Sequence, residues 1–428
     1  MPEPPTDPAA GAPRFVAADV ADPAAGTAPQ PPTAASGPVT RPPLWTRDFL
    51  LLLGITVTFY TGFQILLASM PLYVVHLGGT EASAGLVTGL FTLAAMLARP
   101  LTGWALDAYG RRAVLLFGTI FCLALIVAQD WAATLGALIV LRMVNGFGFG
   151  FATTAGGALA ADLVPRSRLG EGMGLYALTM GIPLGIAPPV GIWLAGRGQF
   201  SALFWLATLV TGVSLVLALI IRVPRQAVVR AVGARAHIFS MFVRSAVFPS
   251  ALMFLLISSL GVILALLAIF GRERGIASVG AWFTLYAVML SLSRVVSGRV
   301  SDRLGYAQTA AVGFGFAVVG LMLMASAHSS WVLLASAVLF GIGYGAAQPS
   351  LQAMLVARTP PHRIGSATAF FFFAYDLGTT VGAVGGGFLA GVIGLGNVFA
   401  LAAVPPFIAL ILLVARLGRG RAPAGAGV

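Results

Sequence analysis

The chain contains an internal repeat at an offset of 195 residues, from Leu97 to Leu292. The segments LARPLTGWALDAYG and LSRVVSGRVSDRLG, which begin at these residues, carry Leu, Arg, Gly, Asp and Gly at matching positions. The register then continues without a gap as far as Gly196 and its match, Gly391. A repeat of this length between apolar segments predicts two structurally similar halves.

The composition predicts that the chain folds in lipid. Of the 428 residues, 58% are hydrophobic and only 9% are charged, whereas soluble domains carry about 25% charged residues. A soluble fold could not bury so much apolar surface. We therefore predict an all-α membrane protein with twelve transmembrane helices, because stretches of about 20 apolar residues cross the hydrocarbon core. The stretches are 48–72, 82–105, 112–129, 132–162, 168–195, 200–221, 247–270, 277–300, 308–327, 331–357, 364–390 and 395–416.

The segments around these helices predict five regions. Residues 1–45 are rich in Pro and Ala and are expected to be a disordered cytoplasmic tail. A polar cytoplasmic linker, 222–246, separates an N-terminal six-helix half, 46–221, from a C-terminal six-helix half, 247–416. Residues 417–428 form a second cytoplasmic tail. Six helices are an even number, so both halves share one orientation and enclose a central cleft.

The distribution of arginine predicts the orientation. With both termini inside, 19 of the 25 basic residues lie on inner segments, and only Arg197, Arg272 and Arg274 lie in outer loops. Positive charge concentrates on the cytoplasmic side of membrane proteins, so both termini are expected to be cytoplasmic. Every basic residue is Arg, and Ala, Gly and Pro are abundant. This bias is typical of a GC-rich bacterial genome, so we expect a multi-pass protein of the bacterial plasma (inner) membrane.

Other classes of protein are disfavoured. The net charge of +12 is scattered over short loops instead of forming a basic domain, which argues against nucleic-acid binding. The single Cys122 excludes an intrachain disulfide and a cysteine metal cage. The sequence shows no nucleotide motif and no nucleophile–base pair. We therefore expect neither an enzyme nor a cofactor or metal.

Three motifs resemble those of the major facilitator superfamily of transporters. GWALDAYGRR, from Gly103 to Arg112, is similar to the family's loop motif between helices 2 and 3, and Gly298 to Gly305 is a weaker copy between helices 8 and 9. RMVNGFGFG, which begins at Arg142, resembles the helix 4 motif. GIPLGIAPPVG, which begins at Gly181, resembles the helix 5 motif of drug and metabolite antiporters.

The resemblance implies a fold of two halves that rock about a substrate bound between them. The loop motifs would form a latch that holds the inner side closed and breaks as the cleft opens inward. The latch residues are Gly103, Asp107, Gly110, Arg111, Arg112, Gly298, Asp302, Arg303 and Gly305. Arg99 and Arg294, placed near the inner helix ends, are expected to have a structural or gating role. In helix 5, the residues that would seal the two halves against leakage are Gly181, Gly185, Pro188 and Gly191.

Arg142 and Asp376 each lie about 11 residues, or about 16 Å, inside a predicted helix. A charge at this depth costs roughly 2.5–3.5 kcal/mol even on the lenient insertion scale, so each side chain needs the cleft or a partner. Arg142 is expected to tune a protonatable group or to bind an anionic substrate; alternatively, it binds helix carbonyls. Burial disfavours a charged carboxylate, so Asp376 is expected to carry a proton or bind substrate. Alternatively, it packs against a hydroxyl or an arginine.

Polar side chains within helices 1, 4, 7, 10 and 11 are further candidates, because these helices line the cavity in the resembled family. They are Tyr60, Gln64, Asn145, Ser258, Ser259, Gln348, Gln352 and Tyr375. Each of them could instead make a packing hydrogen bond.

These features favour proton-coupled efflux of a small amphipathic molecule, such as a drug, a metabolite or a metallophore, by alternating access. The proton gradient would supply the energy, and the partners would be the lipid bilayer, protons and a small-molecule substrate. We expect a monomer. The main alternative is proton-coupled uptake of a sugar, an organic acid or another nutrient by symport. A more remote alternative is a membrane sensor that transports nothing.

The latch hypothesis predicts that Asp107→Asn impairs transport while the amount of protein in the membrane stays normal. The amide keeps the size of the side chain but loses the charge that would hold the inner side closed. The measurement is transport activity normalised to protein level. Unchanged transport would contradict a latch role for Asp107.

Overall fold

A computed structural model describes residues 43–222, 244–360 and 363–419. These residues form thirteen α-helices and a short 3-10 helix, Arg166–Arg168. The α-helices are α1 Arg47–His76, α2 Glu81–Tyr109, α3 Arg111–Asp130, α4 Leu135–Leu163, α5 Leu169–Gly196, α6 Phe200–Ile220, α7 Arg244–Glu273, α8 Val279–Leu304, α9 Tyr306–Ala325, α10 Ser330–Ala357, α11 Ile364–Ile393, α12 Leu395–Ala402 and α13 Val404–Arg419. Twelve segments are long and apolar enough to cross a membrane, with α12 and α13 together forming the last. This confirms the predicted all-α membrane class.

Several predicted boundaries differ from the observed ones. Helix α7 begins at Arg244 and α13 continues to Arg419, so both extend into the predicted linker and tail. The twelfth span is divided at Ala403, because Pro405 and Pro406 have no N–H to continue the helical hydrogen bonds. At the N-terminus, Leu44 is only 1% exposed and packs in a small cluster with helix α1, so the predicted tail ends before it. The rest of that tail, residues 223–243 of the linker and the end of the chain lie outside the described residues.

Glycine permits the tight turn in both copies of the loop motif. Gly110, between α2 and α3, has a φ of 83°, and Gly305, between α8 and α9, has a φ of 91°. Residues with a Cβ rarely adopt this left-handed region. The chain therefore reverses within a single residue at equivalent positions of the repeat.

The two halves of the repeat pack their helices in the same way. Gly118 of α3 contacts the backbone of α4 at Ala152, and its match Gly313 of α9 contacts the backbone of α10 at Ala347. Gly146 of α4 packs on the backbone of Phe91 in α2, and the matching glycine of α10 packs on Tyr286 of α8, the residue that matches Phe91. Small residues allow such close approach of helices in lipid. The repeat is thus found in the packing of the helices as well as in the amino-acid sequence.

Two helix pairs make most of the contact between the halves. Helix α2 packs against α11, and α5 packs against α8. We call the face where α1 begins and α13 ends the terminal face, and the other the opposite face. In the first pair, Gly85 and Gly89 pack against α11, and the Thr92 and Thr380 hydroxyl oxygens lie 2.8 Å apart.

The second pair makes equivalent contacts. Gly280 of α8 packs against Pro189 of α5, and the Thr284 hydroxyl donates a 2.6 Å hydrogen bond to the carbonyl of Gly185. Both sets of contacts lie in the half of the bundle nearer the opposite face. Nearer the terminal face, a Cβ added at Gly103 of α2 or Gly298 of α8 would meet no described atom within 4 Å. The halves are therefore closed toward the opposite face and open toward the terminal face.

The closed interface predicts a specific cross-link. In Thr92→Cys/Thr380→Cys the two sulfur atoms would replace oxygens that are 2.8 Å apart, which suits a disulfide. With a protease site inserted between residues 223 and 243, the cleaved halves should stay joined on a non-reducing gel and separate after reduction. Native Cys122 is buried and should not interfere.

A matched pair controls for chance collisions. In Gly103→Cys/Thr380→Cys the first cysteine moves 11 positions along α2, or about 16 Å at 1.5 Å per residue. This pair should not cross-link. Equal cross-linking in both pairs, or none in the first, would contradict the closed interface.

Candidate functional site

An ion pair joins the two halves inside the bundle. The Arg99 Nε of α2 donates a 2.7 Å hydrogen bond to the Asp376 carboxylate of α11, and a second guanidinium nitrogen lies 3.4 Å from the other carboxylate oxygen. Asp376 is 12 residues from the start of α11, about 18 Å into the helix. The carboxylate at mid-depth therefore has its counter-charge on the other half of the protein.

This pairing changes the interpretation of both residues. Arg99 was expected near an inner helix end, but α2 continues for ten residues beyond it, and its side chain pairs at the depth of Asp376. Asp376 is 7% exposed, and its partner Arg99 has a side chain that is 36% exposed. Asp376 is the buried partner, so breaking the pair leaves its charge uncompensated, which is unfavourable. Separating α2 from α11 therefore requires that one of the two charges be neutralised or solvated.

Two of the predicted cleft tyrosines lie beside this ion pair. Tyr60 of α1 is close enough to Arg99 and Asp376 to interact with both charges. Tyr375, next to Asp376 on α11, is close enough to Arg99 and to Arg294 of the other interface to interact with both charges. The two interfaces thus converge on a central region lined by hydroxyl-bearing aromatic rings.

Arg142 is buried against an aromatic ring. It is 1% exposed, and its guanidinium carbon lies 4.5 Å from the centre of the Phe91 ring. Its Nε and Nη1 have no hydrogen-bond partner among the described residues. The alternative that these nitrogens bind helix carbonyls is therefore not observed. A cation–π contact offsets part of the cost of burying the charge.

Arg294 of α8 occupies the position in the second half that Arg99 has in the first. Its Nη2 donates a 2.6 Å hydrogen bond to the side-chain oxygen of Gln348 in α10. Among the described residues no carboxylate forms an ion pair with it. Gln352, one helical turn beyond Gln348, is partly buried. Arg294 and Gln348 therefore form a polar pair that retains unused hydrogen-bond donors.

The remaining cleft candidates make packing contacts or are buried. The Asn145 side chain donates a 3.2 Å hydrogen bond to the Cys122 carbonyl of α3. Ser259 is 0% exposed and donates to the Ala402 carbonyl, and Ser258 donates to the carbonyl of Leu255 in its own helix. Gln64 is buried in α1. The structure does not place Asn145 and Ser259 at the cleft, because both side chains point into neighbouring helices of their own half.

Some of the predicted latch residues bind within their own half, and others are exposed. Arg111 binds Asp162 at 2.9 Å, and Arg112 donates to the Leu219 carbonyl, so both hold helices of the same half together. Asp107 and Arg303 are exposed. The side chain of Asp302 lies outside the described residues. Since the halves are open toward the terminal face, Asp107 is seen in the conformation in which a latch would be released.

The helix 5 residues also have different surroundings. Gly185 contacts α8 of the other half, whereas Gly191 packs against the backbone of Ile65 in α1 of its own half. Pro188 is buried. Gly181 faces open space. Of the three glycines expected to seal the halves, Gly185 is the one that contacts the other half among the described residues.

Sequence analysis did not identify which residues pair between the halves. Arg99 and Asp376 were both singled out, but not as partners, and Thr92, Thr284 and Phe91 were not considered. The available signal was periodicity: 85, 89, 92 and 99 fall at spacings of three, four and seven, which place them on one face of α2. A face with small, hydroxyl and charged residues in a lipid-buried helix indicates a helix contact.

Comparison with known proteins agrees with this architecture. The Major Facilitator Superfamily model matches residues 52–277 and 251–427. An MFS-type transporter of Methanocaldococcus jannaschii is 25% identical over 88% of this chain and 97% of its own length. The MFS-type transporter YhhS of Escherichia coli K12 is 26% identical over 81% of this chain and 86% of its own.

Among solved structures, the crystal structure of the nucleoside transporter NupG is similar in fold. It has a TM-score of 0.72 and 14% identity, covering 87% of this chain and 99% of NupG. A POT family transporter has the same TM-score of 0.72 over 88% of this chain and 97% of its own. The family model covers both halves and the interface that carries the Arg99–Asp376 ion pair. The chain therefore belongs to the Major Facilitator Superfamily and is a membrane-spanning transporter, not an enzyme.

Proposed function

We propose that this transporter exports a small amphipathic molecule in exchange for protons, and that Asp376 carries the proton. The observation that supports this most directly is the Arg99–Asp376 ion pair across the two halves. Its partners lie on α2 and α11, which must separate for the cleft to open toward the opposite face. Proton uptake at this carboxylate is therefore coupled to movement of the halves.

The coupling follows from the charges. With Asp376 ionised, the pair holds α2 and α11 together and favours the conformation that is open to the terminal face. Substrate binding offsets the cost of separating the pair, so the halves part on the opposite side, where the freed carboxylate takes up a proton. A proton bound on the opposite side is then released on the terminal side when Arg99 pairs with the carboxylate again.

The proposed direction of transport is based on the orientation of the protein in the membrane and on the motif in helix 5. The excess of arginine at the terminal face makes this face cytoplasmic in our proposal, and the membrane is the bacterial plasma membrane. The open cleft would then receive substrate from the cytoplasm. Helix 5 resembles the antiporter motif, and Gly185 and Pro189 pack tightly against α8. A tight seal there hinders uncoupled leakage of protons.

This proposal predicts a substrate-dependent pH change in inverted membrane vesicles. Vesicles that contain the transporter are energised to an acid lumen and then given lipophilic cations, antibiotics or chelators. An exported substrate should enter the lumen as protons leave, so the acid gradient should fall. Asp376→Asn should abolish this response, because an amide cannot carry the proton. Lumenal pH is read with a fluorescent dye.

Asp162→Asn is a matched control. Asp162 also pairs with an arginine, Arg111, but within one half and near the terminal face, so this variant should keep the response. A response that persists in Asp376→Asn would contradict the role of Asp376. Acidification of the cytoplasmic compartment during substrate uptake in intact cells, without a response in vesicles, would instead indicate symport.

A further inference from the structure

The repeat relates the two interfaces residue by residue. At the offset of 195, Gly85, Gly89 and Thr92 of α2 correspond to Gly280, Thr284 and Ala287 of α8. On the facing helices, Val384 and Thr380 of α11 correspond to Pro189 and Gly185 of α5.

The contacts follow the same correspondence. Gly89 packs against Thr380, and Thr284 binds Gly185. Thr92 contacts Thr380, and Ala287 contacts Gly185. The contacts of the two interfaces are therefore related by the repeat, from the opposite face as far as Thr92 and Ala287.

The next pair in this series differs between the interfaces. Arg99 pairs with Asp376, and the residues that correspond to them are Arg294 and Gly181. Both Asp376 and Gly181 lie 12 residues from the start of their helices. The second interface thus keeps the arginine but lacks the carboxylate that would neutralise it.

The position of the missing carboxylate is open. A Cβ added at Gly181 would meet no described atom within 4 Å. Among the residues that the structure describes, the Arg294 guanidinium donates to one partner, the neutral side chain of Gln348. A guanidinium has five N–H donors in a planar fork that suits a carboxylate. Arg294 therefore has unused donors, and the position that corresponds to Asp376 is open.

The surroundings indicate what else such a ligand would contain. Tyr375 is partly exposed and is close enough to Arg294 and to the Arg99–Asp376 pair to interact with their charges. This ring points to a ligand with an apolar or aromatic part. The charges of Arg99 and Asp376 cancel, so Arg294 leaves this region with a net positive charge. A cationic substrate would be repelled there.

We propose that the substrate is an amphipathic organic anion whose carboxylate binds Arg294 in the space beside Gly181. This deepens the function proposed above and rests on it for the coupling to protons, although not for the binding itself. The bound carboxylate takes the place in the second interface that Asp376 has in the first. Arg294 is then a substrate-binding residue, in place of the gating role expected for it.

The first test asks whether Gly181 faces Arg294. Gly181→Asp introduces the missing carboxylate, and Gly181→Asn introduces an uncharged side chain of the same size. The Asp variant should have a Tm above that of the Asn variant in detergent, because it forms an ion pair with Arg294. In an Arg294→Gln background the difference should disappear. An equal Tm for the two variants in the native background would overturn the proposed geometry.

The second test measures ligand binding to the purified protein without a proton gradient. The probes are two matched pairs, 1-naphthaleneacetate with its amide and decanoate with its amide. A ligand that binds the folded state raises its Tm. At least one carboxylate should raise the Tm of the native protein, and its amide should not. Arg294→Gln and Gly181→Asp should reduce the affinity for that carboxylate about tenfold or more.

Failure of this proposal can be distinguished from failure of proton coupling. Equal Tm shifts with an acid and its amide, no shift with either acid, or retained carboxylate binding in Gly181→Asp would overturn the anion site. These results do not depend on Asp376 as a proton carrier. Conversely, a pH response that survives in Asp376→Asn would remove the coupling mechanism and leave the binding results unchanged.

Discussion

A charge inside a lipid-embedded bundle must have a partner, and the structure is organised around how its few charges meet this requirement. Water that could solvate an ion is excluded from the hydrocarbon, so a carboxylate at mid-depth is stable only with a counter-charge or a proton. Asp376 obtains its counter-charge from Arg99 on the other half. The same contact that satisfies the charge also holds the two halves together, which is why a proton can act on the conformation.

The repeat determines how the helices that carry this contact are packed, and we propose that the positions where the halves differ determine the function. Glycines at matched positions give both halves the same internal packing, as at Gly118 and Gly313. The interfaces between the halves start from the same pattern and then diverge at one pair. In the first interface Asp376 pairs with Arg99. In the second interface the residue that corresponds to Asp376 is Gly181, which has no carboxylate to pair with Arg294. In our proposal, a pseudo-symmetric fold thus places a proton site and a site for a substrate anion at the same depth.

The open side of the cleft explains why the loop motif is not engaged. Arg111 and Arg112 bind within their own half, and Asp107 is exposed. Contacts between the halves lie nearer the opposite face, where Thr92 meets Thr380 and Thr284 meets Gly185. In a rocking mechanism, contacts on one side form as those on the other break. The described conformation therefore corresponds to one end of the cycle.

The lipid environment, the twelve spans, the repeat and the depth of Arg142 and Asp376 could be predicted from the amino-acid sequence, because hydropathy and spacing are local properties of the chain. The repeat also identified Arg99 and Arg294 as equivalents. The folded structure was needed to show that Arg99 pairs with Asp376, that Arg142 lies on Phe91, and that Asn145 and Ser259 bind within their own half. These outcomes depend on which helix faces meet and how the helices are rotated. Both the contacting faces and the rotation of the helices are set by packing between segments far apart in sequence, and hydropathy does not encode this packing.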